Sequence, residues 1–382
     1  MRAKNSDLSY FEIFRSLLQS GSLFILAFLA PVSLFLTLTV LVTVSSLLSS
    51  FFLAGLHIEA MFDKPISWLK TATGYLVKVF PLIVILCSFF VYFVFRGDLN
   101  FWFILLISVS EVSFFSLNSF HQRVILGGKQ ISKYYTIVLQ VSVLRFLAFL
   151  LLAYNFRIGI IIFVVNAIII LSRFKAFRKE IVSYPLEGVP LKFLLKDSAP
   201  IGMSSLLLSF FDSAPIIASP YILKLNVLPS FMFSWKIIIA LTIFSHSVST
   251  SQLRNESEHG IKPLGTHLRI LIWGGTLAVP FVFFGLNFLD LSSKYPYSGT
   301  LILCLSFIPS LRSINLILGN RLMILNLVKS RIKFQLFALG VESISLALFL
   351  YLQLAINLYI YICFIYFIEL LLIGFQRKSI NP

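Results

Sequence analysis

The chain is a succession of apolar runs separated by short polar loops. A helix needs roughly 20 apolar residues to cross the hydrocarbon of a bilayer, and most of the runs have about that length. The stretch Gly21 to Leu56 is too long for one span and too short for two with an ordinary loop. If the amphipathic lead from Tyr10 inserts as well, two spans fit, with a tight turn near Pro31 to Leu34. Further spans are expected at Tyr75–Phe95, Phe101–Phe120, Tyr134–Tyr154 and Ile158–Leu171. After a basic break they resume at Ala199–Ser219, Pro229–Gln252, His267–Phe288, Tyr297–Ile317, Phe334–Leu354 and Asn357–Phe375. The pattern predicts an all-α polytopic membrane protein of about twelve transmembrane helices, in two six-helix halves around a central cavity. The N-terminal half is 1–172, a basic linker 173–197, and the C-terminal half 198–382.

Charge adds orientation to this picture. Of 31 Lys and Arg residues, only Arg96, Arg157, Lys224 and Lys294 fall in every second loop of the twelve-span scheme. Insertion keeps Lys and Arg of short loops on the cytoplasmic side, so the loops rich in them, the linker and both termini are expected there. The N-terminal segment reads as an uncleaved cytoplasmic lead, with no small-residue cleavage site after a short apolar core. The net charge of +16 would suggest nucleic acid in a soluble protein. Here anionic headgroups and the insertion bias account for it, and no nucleic-acid partner is expected. A hydrophobic content of 58% against 12% charged residues lies outside the soluble range. Cys87, Cys304 and Cys363 all fall inside apolar runs and read as small hydrophobes, supporting neither a disulfide framework nor a metal site.

Charges inside the runs are the candidate chemistry, because each costs at least ~2.5–3.5 kcal/mol at mid-bilayer on insertion scales. They are Glu111, Arg145, Asp212, Lys236, Arg312, Glu342 and Glu369. Several share a helix face with other polar residues: Ser108, Glu111, Asn118 and Gln122; Gly202, Ser205, Ser209 and Asp212; Arg312, Asn315 and Gly319; Gln335, Glu342 and Ser345. Such stripes suggest helices around a polar cavity, although Ser and Thr also hydrogen-bond their own helix or glue helices together. Lys236 lies near the outer end of its span, within snorkelling reach of water. Glu369 lies near an inner boundary and is expected to pair with a loop cation. The five His residues show no metal-ligand spacing, and no phosphate-cradling loop or nucleophile motif is present. Neither a cofactor nor enzyme chemistry is expected.

Three segments carry a resemblance to a known family. LLKDSAPIGMSSLLLSFFDSAPIIASPYILK holds a Pro after the span entry and Asp212 near the outer end. LPSFMFSWKIIIAL holds Lys236 early in the eighth span, and SSKYPYSGTLILCLSFIPSLRSINLILGNRLM forms the ninth-to-tenth connection and the tenth span. The chain resembles bacterial O-antigen and polysaccharide flippases of the multidrug/oligosaccharidyl-lipid/polysaccharide exporter superfamily. It departs from them in its short, merged first pair of spans, which lacks the usual small-residue Gly motif. The resemblance implies a multi-pass protein of the bacterial inner membrane, acting in lipopolysaccharide biosynthesis. Its cargo would be an undecaprenyl-diphosphate-linked oligosaccharide, moved by alternating access between paired halves and coupled to H+ or Na+. A polysaccharide polymerase and a chain-length regulator are the partners it implies.

A diphosphate cannot cross hydrocarbon bare, and the planar fork of Arg suits two phosphate oxygens. Arg145, Lys236 and Arg312 are therefore the candidate cavity cations, with Glu111, Asp212 and Glu342 as counter-charges or ion-coupling sites. Two rivals remain: a small-molecule or drug cation antiporter of the same build, favoured by a cavity richer in acids, and an O-antigen polymerase-type enzyme, disfavoured by short outer loops.

Overall fold

The computed structural model describes residues 5–53, 55–60, 64–95, 99–128, 130–223, 226–242, 266–289, 291–325, 327–351 and 358–380. Among these residues every regular element is helical and no strand occurs. Lipid offers a backbone no hydrogen-bond partner, so helices that satisfy their own N–H and C=O groups are the economical way to cross it.

The run Gly21 to Leu56 resolves as the turn near Pro31 requires. Helix α1 (Asn5–Leu29) stops one residue before Ala30, and α2 (Val32–Leu53) starts directly after Pro31. The Pro31 carbonyl accepts from Phe35 N at 3.1 Å, while the ring supplies no N–H that would need a partner at a helix start. A single-turn helix, α3 (Leu56–Glu59), leads towards α4 (Ile66–Val94). α4 begins nine residues before the expected span because Pro65 starts it, accepting from Trp68 N and Leu69 N. α5 (Phe101–Ser113) passes through a π-turn, Phe114–Asn118, into α6 (Ser119–Gly127). α7 (Ile131–Tyr154) and α8 (Phe156–Val182) follow, then α9 (Leu191–Ile222) and α10 (Leu228–Leu241). The remainder comprises α11 (Thr266–Phe288), α12 (Leu291–Lys294), α13 (Ser298–Cys304), α14 (Ile308–Ile324), α15 (Val328–Tyr351) and α16 (Leu358–Ile380).

Each of the twelve expected span positions carries helix. Eight helical segments among the described residues are both long and apolar enough to cross a membrane, and α10 and part of α11 are shorter apolar helices. Neither α1 nor α15 belongs to the eight. Arg96, Lys224 and the part of the expected eighth span beyond Thr242 lie outside the described residues.

The exposed surface agrees with a lipid solvent. On α4 the outward residues are Leu82, Ile85, Leu86, Phe89, Phe90 and Phe93, and on α11 they are Leu277, Phe281, Phe284 and Phe288. Phe288 is 89% exposed. A soluble monomer rarely tolerates contiguous apolar surface beyond a few hundred Å². Polar side chains turn inward instead: Thr37, Thr39, Thr43, Ser45 and Ser49 of α2 are all buried. Thr37 and Thr43 donate back to carbonyls one turn earlier. The chain is an all-α, multi-pass membrane protein.

The helices group into two compact units, Gly21–Ser213 and Ala214–Pro382 with Met1–Ser20. The division falls inside α9 rather than in a loop. The expected linker is also largely helical: α8 continues to Val182 and α9 starts at Leu191, leaving only 183–190 non-helical. This strap folds back on the start of α4. Lys70 Nζ donates to Leu186 O at 3.0 Å, Thr71 Oγ1 to Val189 O at 2.7 Å, and Val189 N to Ser67 O at 3.4 Å.

α7 and α8 form the tightest hairpin, with Asn155 alone between them. Its side chain accepts from Arg157 N and Ile158 N, capping α8. Gly159 makes the close approach possible, since a Cβ there would lie 2.4 Å from Leu152 Cα. Backbone cannot yield as a side chain would. Gly159→Ala is therefore expected to cost about 1–3 kcal/mol of stability, read as a lowered melting temperature of the detergent-solubilised protein.

Candidate functional site

Among the described residues, each unit holds one buried guanidinium–carboxylate cluster within its helices. In Gly21–Ser213, α5 carries Glu111 and α7 carries Arg145. Arg145 Nε donates to Glu111 Oε1 and Nη2 to Oε2, both at 2.8 Å. This is the two-pronged geometry that suits Arg to carboxylate. Nη1 donates to Ser22 Oγ at 3.3 Å. The rings of Phe114, Phe149 and Phe115 surround the cation, with centroids 4.9, 5.0 and 5.7 Å from Cζ. Both side chains are sealed, at 3% exposure for Arg145 and 0% for Glu111. The π-turn starts three residues after Glu111 and supplies Phe114 and Phe115, two of the three enclosing rings.

The polar stripe expected on the fourth span is real. Ser108, Glu111, Asn118 and Gln122 are all buried. Around them lie Ser45, whose hydroxyl is 3.1 Å from Cys87 Sγ, and Asn166, which donates to Ser110 Oγ at 3.5 Å. The Asn166 carbonyl oxygen and the Ser142 hydroxyl are buried without a partner among the described residues.

In the other unit Arg312 of α14 meets Glu369 of α16. Arg312 Nε donates to Glu369 Oε1 at 2.9 Å, and Asn315 Nδ2 donates to Oε2 at 2.5 Å and to the Glu369 carbonyl at 3.2 Å. The indole of Trp235, on α10, stacks 5.0 Å from the guanidinium. Glu342 of α15 is the third charge here, within the electrostatic reach of both Arg312 and Glu369. It is buried, and its Oε2 has no hydrogen-bond partner among the described residues. Among the described residues, two acids thus lie within electrostatic reach of Arg312.

The two clusters use corresponding spans with the signs exchanged. Acid stands on the fourth span and base on the fifth in the first unit; base stands on the tenth and acid on the eleventh in the second. Arg312 nonetheless takes its direct partner from the twelfth span.

Of the residues selected from sequence, Arg145 and Glu111 meet each other, and Arg312 and Glu342 share a cluster. Lys236 follows the buried Trp235 on α10 and is half-buried, and Asp212 is half-buried on α9. The reading of Glu369 as a partner for a loop cation is corrected: its carboxylate is the ion-pair partner of Arg312 within the spans. Asn315 was legible only as a stripe member. Trp235 gave no signal beyond its place before a lysine.

Among the described residues no group of three or more His, Cys, Asp or Glu side chains is placed to hold a metal ion. Compared with known proteins, the chain matches no family model, no curated protein and no solved structure.

Proposed function

We propose that this protein is a flippase that carries an undecaprenyl-diphosphate-linked oligosaccharide across the bacterial inner membrane by alternating access, driven by a coupling ion. The observation that carries this reading is a buried Arg–Glu pair within the spans of each unit. A buried ion pair is commonly no more stable than apolar residues of similar volume, so charges kept at such depth point to cargo or ion movement. In the conformation described, both guanidinium groups are occupied by carboxylates. Accepting a diphosphate would then be an exchange: phosphate oxygens replace Glu111 on Arg145, or Glu369 on Arg312, and the released acid takes the coupling cation. Lys236 would add a further positive charge for the anion, and Asp212 a further counter-charge. Glu342, with a free carboxylate oxygen, is the acid best placed to hold a proton or Na+.

The acid excess around Arg312 favours a second reading, a small-molecule cation antiporter of the same architecture. Expression in a flippase-deficient strain separates the two. The flippase reading expects surface polysaccharide to return, and to be lost again with Glu342→Gln while protein level in the membrane holds. Extrusion of a cationic dye without any return of polysaccharide would establish the antiporter instead.

A further inference from the structure

Arg331 is the buried cation that neither cluster uses. It stands in the first turn of α15 and is 4% exposed. Its one hydrogen bond among the described residues runs from Nη1 to Gly319 O at 3.2 Å, and Nε is buried with no acceptor. No carboxylate among the described residues pairs with it, and the sequence has no acidic residue between Asp290 and Glu342. Lys329 and Lys333, two residues away on either side, stand on the opposite face of the helix and are exposed.

Two effects oppose this placement. A buried charge without a counter-ion is costly, and the N-terminal turn of a helix carries positive partial charge that repels a cation. One ligand relieves both: an anion bonded to the guanidinium and to the free N–H groups of the turn. Gly319 leaves room for the guanidinium itself. A Cβ at that position would stand 2.9 Å from Arg331 Nε and 3.0 Å from Cζ, so the guanidinium lies flat against α14 because no side chain intervenes.

We infer that Arg331, the first turn of α15 and Gly319 form a binding site for a phosphate or diphosphate group. The proposal deepens the flippase reading and depends on it only for the anion's source: the cargo's diphosphate, docking here before it reaches the mid-span pairs, rather than the headgroup of a neighbouring anionic phospholipid.

The test uses the full-length protein in phosphatidylcholine nanodiscs, titrated with inorganic pyrophosphate and followed by thermal unfolding. Pyrophosphate is expected to raise the melting temperature of the wild type. Arg331→Gln should weaken its apparent affinity at least about tenfold, and Gly319→Ala should weaken it by displacing the guanidinium. Arg331→Lys keeps the charge without the fork and should retain part of the response.

Without pyrophosphate, Arg331→Gln should melt no lower than wild type, since it removes an uncompensated charge. A markedly lower value would mean that Arg331 serves the fold, and would overturn the site. So would the absence of any pyrophosphate effect on the wild type, or an undiminished effect in Arg331→Gln. Repeating the titration with phosphatidylglycerol in the discs separates the sources. A persisting response supports the cargo. If phosphatidylglycerol alone gives the full stabilisation and abolishes the response, the anion is a lipid headgroup and the docking role falls. Failure of the flippase reading would show differently, as absent polysaccharide export from a protein that still binds pyrophosphate through Arg331.

Discussion

Glu111→Gln is expected to destabilise the protein by about 3–5 kcal/mol, the cost of stranding a buried charge. The substitution removes the two-pronged carboxylate partner of Arg145. At 3% exposure the guanidinium cannot recruit water in compensation. Arg145→Gln should cost a similar amount by stranding Glu111. The double variant Glu111→Gln/Arg145→Gln should recover much of the loss, because neither charge remains to be desolvated. Melting temperatures and membrane yield of the four proteins complete the cycle. If the double variant is as unstable as the sum of the singles, the pair is not what holds α5 against α7. Transport gives the complementary reading: a double variant that folds well but exports nothing places the charges in the cycle of movement rather than in the scaffold.

Glu369→Gln and Glu342→Gln should differ sharply although both acids belong to one cluster. Glu369 receives Arg312 on one oxygen and Asn315 on the other, so its loss takes an ion-pair partner from the cation packed against Trp235 and removes part of the tie between α14 and α16. A loss of about 3 kcal/mol or more is expected. Glu342 has an oxygen with no partner, and replacing a buried carboxylate by a neutral amide of the same shape should leave the melting temperature unchanged or raise it. Its effect should appear in ion-coupled transport alone. Equal destabilisation by the two variants would show that Glu342 is a structural counter-ion of Arg312, and would remove the main support for a coupling role.

Much of the architecture was legible because lipid imposes a length on every span and a location on every charge. The turn between α1 and α2 falls where Pro31 places it, whereas the start of α4 at Pro65 was missed, the span being expected only from Tyr75. The local structure of the linker was not legible from its basic composition: SRFKAFRKEIV continues α8 beyond its apolar part. The candidate charges were visible one at a time, since each is out of place in an apolar run. Their pairing was not: Glu111 with Arg145 joins residues 34 apart, and Arg312 with Glu369 residues 57 apart. Nothing in a single sequence fixes which helices become neighbours. The same blindness hid Arg331. Beside Lys329 and Lys333 it reads as one more loop cation, and only the packing of Gly319 beneath it shows that it is buried.

The one-residue joint at Asn155 bears on how the topology can be mapped. With capping bonds on one side and backbone contact at Gly159 on the other, the α7–α8 corner has no slack for an inserted epitope. A reporter placed there would split the hairpin and describe a damaged molecule. The strap at 183–190 lies exposed between two long helices and is held by only a few bonds, so it is the better place for a protease site or reporter.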